Sequence, residues 1–290
     1  MKRALVFGGS GQIGDALLPL LRDAGFDVLA VSRQARAGGD GLRWWVGALD
    51  GALARPSGDF DVVFSLGPLD AFVRWQARVG PVAPRVVAFG STSVVAKAAS
   101  PNQHERDLAH RLREAEATVF ASADRHDVAA VVLRPTLIYG RARDRTLTRI
   151  AAFARRRGFF VLPNDASGLR QPVHVDDLAI AAMAVAQSSV RESRAYDLPG
   201  GETMTFTAMV ARVLACLPER PRLWPLPGPL FRGALSMARG IGMVKGIDNG
   251  MRDRLHVDQV FDASAARRDF SYAPRAFTPT AAMFTPANAG

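Results

Sequence analysis

Glycines near the start of the chain have a spacing that suits phosphate binding. The turn reads Gly8-Gly9-Ser10-Gly11-Gln12-Ile13-Gly14; an apolar run, residues 4–7, precedes it, and a run with helical periodicity, residues 16–21, follows it. In such a turn one glycine allows the tight bend, another lets the backbone approach a pyrophosphate, and a third lets helix and strand pack closely. The N–H groups of the helix N-terminus bind the phosphates. We therefore predict a dinucleotide site whose contacts come from Gly8 or Gly9 and from Gly11, Gln12, Ile13 and Gly14.

A second strand-like run, residues 27–31, ends in residues that could select the cofactor. Ser32 stands at the strand end, and Arg33 and Arg36 follow it. A site that prefers NAD usually has Asp or Glu at this position, where it bonds the ribose 2′-hydroxyl. Two cations without a carboxylate suit a 2′-phosphate, because guanidinium groups bind phosphate through paired N–H donors. The pattern predicts NADP(H) in preference to NAD(H); the alternative is that both arginines are solvated loop residues.

The elements that position these residues alternate between strand-like and helix-like segments. Further apolar runs cover residues 61–66, 85–89 and 128–133, and a polar helix is predicted over residues 102–123. Continuous apolar strands alternating with helices are typical of a parallel sheet that is buried on both faces. We predict an α/β protein with a Rossmann-type doubly wound parallel sheet and a small C-terminal substrate lobe. Prolines become frequent after residue 199, so the domain boundary is placed between 1–198 and 199–290.

Composition limits the classes of partner. The net charge of +10 is compatible with nucleic-acid binding, but the sequence has no helix-turn-helix spacing, zinc finger or aromatic-interleaved RNA motif, so nucleic-acid binding is kept only as an alternative. Residues 228–245 mix apolar and basic residues and are interpreted as a packed amphipathic helix, with peripheral membrane contact as the alternative. The longest apolar run, residues 178–186, is too short to span a bilayer, and Cys216 is the single cysteine. We expect a cytoplasmic protein without a disulfide framework or metal site.

Four stretches of the sequence together resemble the extended short-chain dehydrogenase/reductase superfamily, and within it the NAD-dependent epimerase/dehydratase family. They are the glycine turn, Phe89-Gly90-Ser91-Thr92-Ser93-Val94-Val95, Leu133-Arg134-Pro135-Thr136-Leu137-Ile138-Tyr139-Gly140, and Gln171-Pro172-Val173-His174-Val175-Asp176-Asp177-Leu178-Ala179. Residues 196–202 and 262–270 extend the resemblance over essentially the whole chain. It implies a hydride-transferring enzyme that acts on a sugar-like or other hydroxyl or carbonyl substrate, and a homodimer is a further expectation.

The resemblance also implies roles for particular residues. Ser91 would polarise the substrate oxygen, and His174 would be a buried histidine rather than a base. Seven arginines lie between Arg141 and Arg157. Together with Arg170 they are candidates for binding a nucleotide-sugar diphosphate, and surface charge is the alternative. The glycines Gly8, Gly11 and Gly14 would hold the pyrophosphate, Leu66 and Gly67 would lie beside the adenosine half, and Tyr139 and Gly140 would lie near the nicotinamide and substrate.

One departure from the family pattern leaves the chemistry open. The family's acid/base tyrosine, with a lysine four residues later, belongs on the helix after the Ser91 strand, and residues 102–116 contain neither residue type. His110, four residues after Arg106, shares its helix face and is one candidate replacement, although both also suit an ordinary solvated face. Lys97 and Tyr139 are further candidates. The alternative function is a non-catalytic NADP(H)-binding sensor or scaffold.

Overall fold

The computed structural model describes residues 1–231, 233 and 255–285. Most of residues 228–245, interpreted above as an amphipathic helix, lies outside the described part. The chain divides into two compact units: Met1–Thr136, Val175–Pro199 and Asp262–Pro274 form the first, and Leu137–His174, Gly200–Phe261 and Arg275–Gly290 form the second. The boundary expected after residue 198 lies next to one crossing between the units, at Pro199. The roles expected of the two parts remain proposals.

The first unit is built on a seven-stranded sheet in which every neighbouring pair is parallel. The strand order is β11-β6-β5-β4-β1-β2-β3, so the chain reverses its direction of travel across the sheet between β1 and β4. The predicted doubly wound parallel sheet is confirmed. In such sheets ligands bind at the carboxyl ends of the strands, beside this reversal. The strands are β1 (Arg3–Phe7), β2 (Asp27–Ser32), β3 (Leu42–Val46), β4 (Val62–Ser65), β5 (Arg85–Phe89), β6 (Ala129–Pro135) and β11 (Arg194–Leu198).

Helices cover both faces of this sheet, which explains why its central strands are apolar throughout. In β1, the four residues from Ala4 to Phe7 are all buried although they point alternately to opposite faces. Leu5 and Phe7 share a core with Phe72 and Trp75 of α2 (Leu69–Val79). That helix packs on α4 (Gln103–His126), and α1 (Gln12–Asp23) packs on α6 (Val175–Gln187). The short helices are α3 (Ser93–Ala96) and α8 (Ser264–Phe270).

The second unit has its own apolar core, formed by helices α5 (Leu147–Arg157) and α7 (Phe206–Cys216) with residues of short strands. These strands form three two-stranded pairings, of which β8–β13 is the longest. A 3-10 helix, Ala281–Phe284, adds the buried ring of Phe284 to this core. The strands are β7 (Ile138–Tyr139), β8 (Phe159–Pro163), β9 (Leu169–Arg170), β10 (Val173–His174), β12 (Met204–Thr205) and β13 (Arg222–Leu226).

Candidate cofactor and active site

The glycine turn lies between β1 and α1, and two of its glycines are required by the geometry. Gly8 has φ +77°, a conformation that side chains rarely adopt, and a Cβ there would lie 3.1 Å from the amide nitrogen of Gly67. A Cβ on Gly14 would lie 2.3 Å from the carbonyl oxygen of Gly9. Gly9 itself has an ordinary φ and faces Ala30 and Trp44. The turn therefore fits the register Gly8, Gly11, Gly14.

The N-terminus of α1 closes this turn and supplies hydrogen-bond donors. Gly11 is the N-cap residue; its amide donates to the Gly8 carbonyl at 2.9 Å, and no side chain caps the helix. The amide groups of the first turn, which include those of Gln12 and Ile13, are therefore available to an external acceptor. The Oε1 atom of Gln12 is buried and has no hydrogen-bond partner among the described residues. These features fit the pyrophosphate of a nicotinamide dinucleotide.

The residues after β4 form the opposite side of this turn. The Leu66 amide donates to the Phe7 carbonyl at 3.0 Å, which places Leu66 and Gly67 against Gly8. A Cβ on Gly67 would meet no atom within 4 Å, so open space adjoins the backbone there. The structure thus brings these two residues together with the glycine turn at the reversal between β1 and β4.

The end of β2 carries the residues expected to select the cofactor. Ser32 is buried, and its hydroxyl accepts a hydrogen bond from the Gln34 amide at 3.2 Å. Arg33 and Arg36 are exposed. The Arg36 guanidinium lies 5.3 Å from the ring centroid of Trp44, the residue of β3 that also faces Gly9. Trp44 therefore holds one of the two cations beside the glycine turn.

Ser91 follows β5 on a braced loop. The Gly90 amide donates to the Leu133 carbonyl at 2.8 Å, and buried Thr92 donates from its hydroxyl to the Pro135 carbonyl at 3.1 Å. The Ser91 hydroxyl accepts from the Ser93 amide at 3.1 Å. Accepting this bond leaves the hydroxyl proton of Ser91 to be donated elsewhere, which is what polarising a substrate oxygen requires.

An ion pair whose carboxylate is buried and whose guanidinium is partly exposed lies against this loop, and no sequence spacing predicted it. Glu116 of α4 is 3% exposed and accepts two hydrogen bonds from Arg134 of β6, one of them from Nε at 2.9 Å. A Cβ on Gly90 would lie 2.9 Å from a Glu116 carboxylate oxygen, so the pair touches the strand end that carries Ser91. Oδ1 of Asp197 lies 3.8 Å from Nη1 of Arg134. Burial raises the pKa of the Asp197 carboxyl.

The candidate replacements for the missing tyrosine and lysine lie in different settings. Lys97 ends α3, and its Nζ is 3.4 Å from the carboxylate of buried Glu105 on α4. Arg106 donates to the carbonyls of Ser100 and Pro101 at 2.7 and 2.9 Å, which braces the start of α4. The side chain of His110 is 68% exposed and pairs with Glu114 at 3.1 Å. Exposure and local pairing favour a solvated helix face for His110.

Arg106 and His110 nevertheless share one feature that their spacing predicts. Both line an open groove of about 460 Å³ along the N-terminal half of α4. Arg111 and Asp107 line it as well, so its walls are charged and of mixed sign.

Tyr139 lies in the second unit and is 1% exposed. Its ring makes edge-on contacts with the rings of His174 and Phe277, with centroids 5.0 and 4.8 Å away. Gly140 has φ +124°, and a Cβ there would lie 2.5 Å from Nε2 of His174. The ring of Tyr139 thus packs in a core, and His174 is buried as expected.

Two of the candidate arginines of the second unit, Arg155 and Arg170, are engaged by neighbouring residues. Arg155 faces Glu219 at 3.4 Å, and Arg170 is buried and donates to the carbonyls of Leu169 and Val257 at 2.7 and 2.8 Å. Burial lowers the pKa of Arg170. Recognition of a diphosphate by these side chains stays a prediction. Within the described ranges, no group of three or more His, Cys, Asp or Glu side chains could hold a metal ion.

Comparison with known proteins adds independent information. Residues 72–198, which include the Ser91 loop and the Glu116–Arg134 pair, match the model of the NAD dependent epimerase/dehydratase family. The resemblance predicted from the sequence is confirmed. A 2-alkyl-3-oxoalkanoate reductase of Stenotrophomonas maltophilia is 24% identical over 94% of this chain and 95% of its own length. These matches support an NAD(P)-dependent enzyme of the epimerase/dehydratase type.

Solved structures of other proteins share the fold. The epimerase Mth375 of Methanothermobacter thermautotrophicus has a TM-score of 0.70 at 15% identity and covers 94% of this chain and 88% of its own. MoeE5, solved with UDP-glucose and NAD, has a TM-score of 0.67 at 21% identity, and the match covers 95% of this chain and 94% of MoeE5.

Among the helices of the described residues, none combines the length and the apolar character that crossing a membrane requires.

Proposed function

We propose that this protein is an NADP(H)-binding oxidoreductase of the epimerase/dehydratase type that acts on a hydroxyl or carbonyl substrate by hydride transfer. The observation that carries the proposal is the glycine turn, where Gly8 and Gly14 exclude side chains and Gln12 presents an unpaired buried oxygen. The NAD bound in MoeE5 supports a nicotinamide dinucleotide in a fold of this kind. The bound nicotinamide would supply or accept the hydride, and the chain would orient the substrate.

The preference for NADP(H) rests on the strand end of β2. Ser32 replaces the carboxylate that would bond a ribose 2′-hydroxyl; its hydroxyl accepts from the Gln34 amide and keeps its own proton, which it could donate to a 2′-phosphate. Arg36 is held by Trp44 beside the glycine turn and offers a planar cation to a 2′-phosphate.

Ser91 is the residue we propose to bind the reacting oxygen. Its hydroxyl accepts a hydrogen bond from the Ser93 amide, and this bond does not use the hydroxyl proton, which can be donated to a substrate oxygen. The proposed substrate class is a compound with a hydroxyl or carbonyl carbon. The reductase relative is named for a 3-oxoalkanoate, which carries a ketone, and the UDP-glucose bound to MoeE5 carries hydroxyl groups. The 1–198 part would bind the cofactor and the 199–290 part the substrate, in a cytoplasmic homodimer.

Two measurements on one preparation test this function. NADPH is titrated by its fluorescence, and NADPH oxidation is followed against a panel of 3-oxo acids, other ketones and sugar nucleotides. Substrate-dependent oxidation that falls at least about a hundredfold in Ser91→Ala, with NADPH binding retained, is the expected result, because removing one oxyanion-type donor costs about that much. Turnover that Ser91→Ala leaves unchanged would contradict the assigned role.

A second candidate function has its own supporting observation. Helix α4 contains no tyrosine or lysine, and the exposed His110–Glu114 pair offers a weak replacement for an acid/base dyad. A protein that binds NADP(H) and signals the bound cofactor to a partner protein needs the glycine turn but no proton donor. Tight NADPH binding with no turnover across the panel would favour this sensor or scaffold.

A further inference from the structure

The paired strands β8 and β13 in the second unit leave apolar side chains on a face that no core covers. Because paired residues of parallel strands point the same way, the register Arg222 with Phe159 and Trp224 with Val161 places these four side chains on one face. We call it the outer face of β8–β13. The alternate residues, such as Phe160 and Leu223, pack on the core of the unit instead.

The aromatic residues of the outer face are ordered and exposed. The rings of Phe159 and Trp224 stack with centroids 4.5 Å apart and an angle of 11° between their planes. Trp224 is 47% exposed, and Leu230 beyond the strand is 62% exposed. Exposed apolar groups clustered in this way mark an interaction surface more often than a random scatter does.

Four exposed arginines lie close in sequence to these rings. Arg156 and Arg157 end α5 just before Phe159, and Arg220 and Arg222 flank the start of β13; all four are exposed. Among the described residues, none of the four forms an ion pair. The carboxylate adjacent to them in sequence, Glu219 beside Arg220, faces Arg155 at 3.4 Å.

The free edge of β13 is poorly suited to pairing with another strand. The Arg222 amide donates to the Gly158 carbonyl and the Leu226 carbonyl accepts from Asn164, so these residues bond toward β8. The alternate positions, Leu223 and Pro225, therefore face the free edge, and Pro225 has no N–H to donate. A partner that contacts the face rather than extends the sheet fits this geometry.

We propose that the outer face of β8–β13 docks peripherally on an anionic lipid surface. Tryptophan is enriched at the boundary between lipid and water, and arginines near such a surface are attracted by anionic head groups. The chain carries a net charge of +10, and its next segment, residues 228–245, continues the mixture of apolar and basic residues. Charge complementarity thus selects a lipid surface over a second copy of this cationic chain.

The test uses the full chain with vesicles. Co-sedimentation is measured with phosphatidylcholine vesicles and with vesicles that also contain phosphatidylglycerol, at low and at high salt. The expected result is binding to the anionic vesicles that salt weakens. Replacing both Arg157 and Arg222 by Gln should weaken it about thirtyfold at low salt, because each basic residue near such a surface contributes about 1 kcal/mol.

The variant Trp224→Ser should weaken vesicle binding about tenfold, as expected for removing a half-exposed aromatic ring from the contact. Ile180→Ser is the matched control, because Ile180 is 53% exposed on α6 of the first unit. Unchanged melting temperatures and NADPH titrations check that both variants fold. Absent binding, equal binding to neutral vesicles, or equal effects of the two variants would overturn the proposal. So would sedimentation velocity showing a dimer that Trp224→Ser dissociates, since the face would then contact a second copy.

Discussion

At the residue scale, the glycine turn offers a purely steric test of the cofactor site. Gly14 has an ordinary φ, but a Cβ there would lie 2.3 Å from a backbone oxygen of Gly9. Gly14→Ala must therefore push α1 away from the turn, which should cost about 1–3 kcal/mol of stability and weaken NADPH binding. Gly39→Ala is the control, because a Cβ at Gly39 meets no atom within 4 Å. Gly14→Ala and Gly39→Ala are compared by fluorescence titration with NADPH and by thermal melting. If the two variants bound NADPH with equal affinity, pyrophosphate binding at this turn would be contradicted.

Arg36 provides a second residue-scale prediction, on cofactor choice. If its guanidinium bonds the 2′-phosphate, Arg36→Ala should weaken NADPH binding at least about tenfold, since hydrogen bonds to charged groups are worth about 1.5–3 kcal/mol. NADH lacks that phosphate, so its affinity is the internal control and should change little. Trp44→Leu should produce a smaller loss of the same kind, because Trp44 holds the guanidinium at 5.3 Å. A parallel fall in NADH affinity would show that Arg36 acts on the fold rather than on selectivity.

At the element scale, the ion pair between α4 and β6 should be worth far more than a surface pair. Arg134→Met leaves the carboxylate of Glu116, 3% exposed, without its partner. Breaking a buried pair in this way costs about 3–5 kcal/mol. Arg74→Met removes an exposed pair with Asp70 on α2 and should cost about 0.5 kcal/mol or less. Denaturant midpoints measure both, and similar losses in the two variants would contradict a supporting role beneath Ser91.

The contact between β11 and α8 predicts a dependence on pH. Tyr196 donates to Asp269 at 2.8 Å, and this bond holds the pKa of the carboxyl below its usual value. Stability from a lowered carboxyl pKa is present above the unfolded pKa, near about 4, and disappears as the pH falls through the folded value. The melting temperatures of wild type and Tyr196→Phe should therefore differ at pH 7 and converge in acid.

Tyr272→Phe is the matched control for that experiment. Tyr272 donates at 2.7 Å to the Pro199 carbonyl, an acceptor that does not titrate. Its removal should lower the melting temperature by an amount that stays constant across the acid range. If the effect of Tyr196→Phe were equally constant, the bond to Asp269 would not be the source of the pH dependence.

Local patterns made the central elements predictable, and long-range contacts made the others unpredictable. The strands β1, β4, β5 and β6 are buried on both faces, so their apolar runs stand out in the sequence. The edge strand β3 (Leu42–Val46) has no fully buried residue, so no apolar run marks it in the sequence, and it was missed. The glycine turn is likewise local. The contacts of Trp44 with Gly9 and of Glu116 with Arg134 join residues distant in sequence, so no spacing indicated them.

At the scale of the whole molecule, the least predictable feature was that each unit is made of three separate stretches of the chain. Strands β9 and β12 have two residues each and pair with each other across the helix α6 and strand β11 that lie between them in sequence. Such short pairings carry no periodicity of their own. A composition change near residue 199 marks one crossing between the units, but residues 137–174 leave the first unit and return without such a change.

The division into units predicts how the cofactor should stabilise the chain. The residues that we assign to the pyrophosphate, the adenosine half and the 2′-phosphate all lie in the first unit, so NADPH should stabilise that unit directly. A ligand at a hundred times its Kd adds about 2.7 kcal/mol to the stability of the state that binds it.

The tryptophans allow this stabilisation to be measured for one unit. Three of the four, Trp44, Trp45 and Trp75, lie in the first unit, and Trp224 lies in the second. In Trp224→Phe the intrinsic fluorescence therefore reports unfolding of the first unit alone, while calorimetry reports both. NADPH should raise the fluorescence midpoint more than NADH does at equal concentration. If calorimetry resolves two transitions, only the one that coincides with the fluorescence change should move; a shift confined to the other transition would place the cofactor in the second unit.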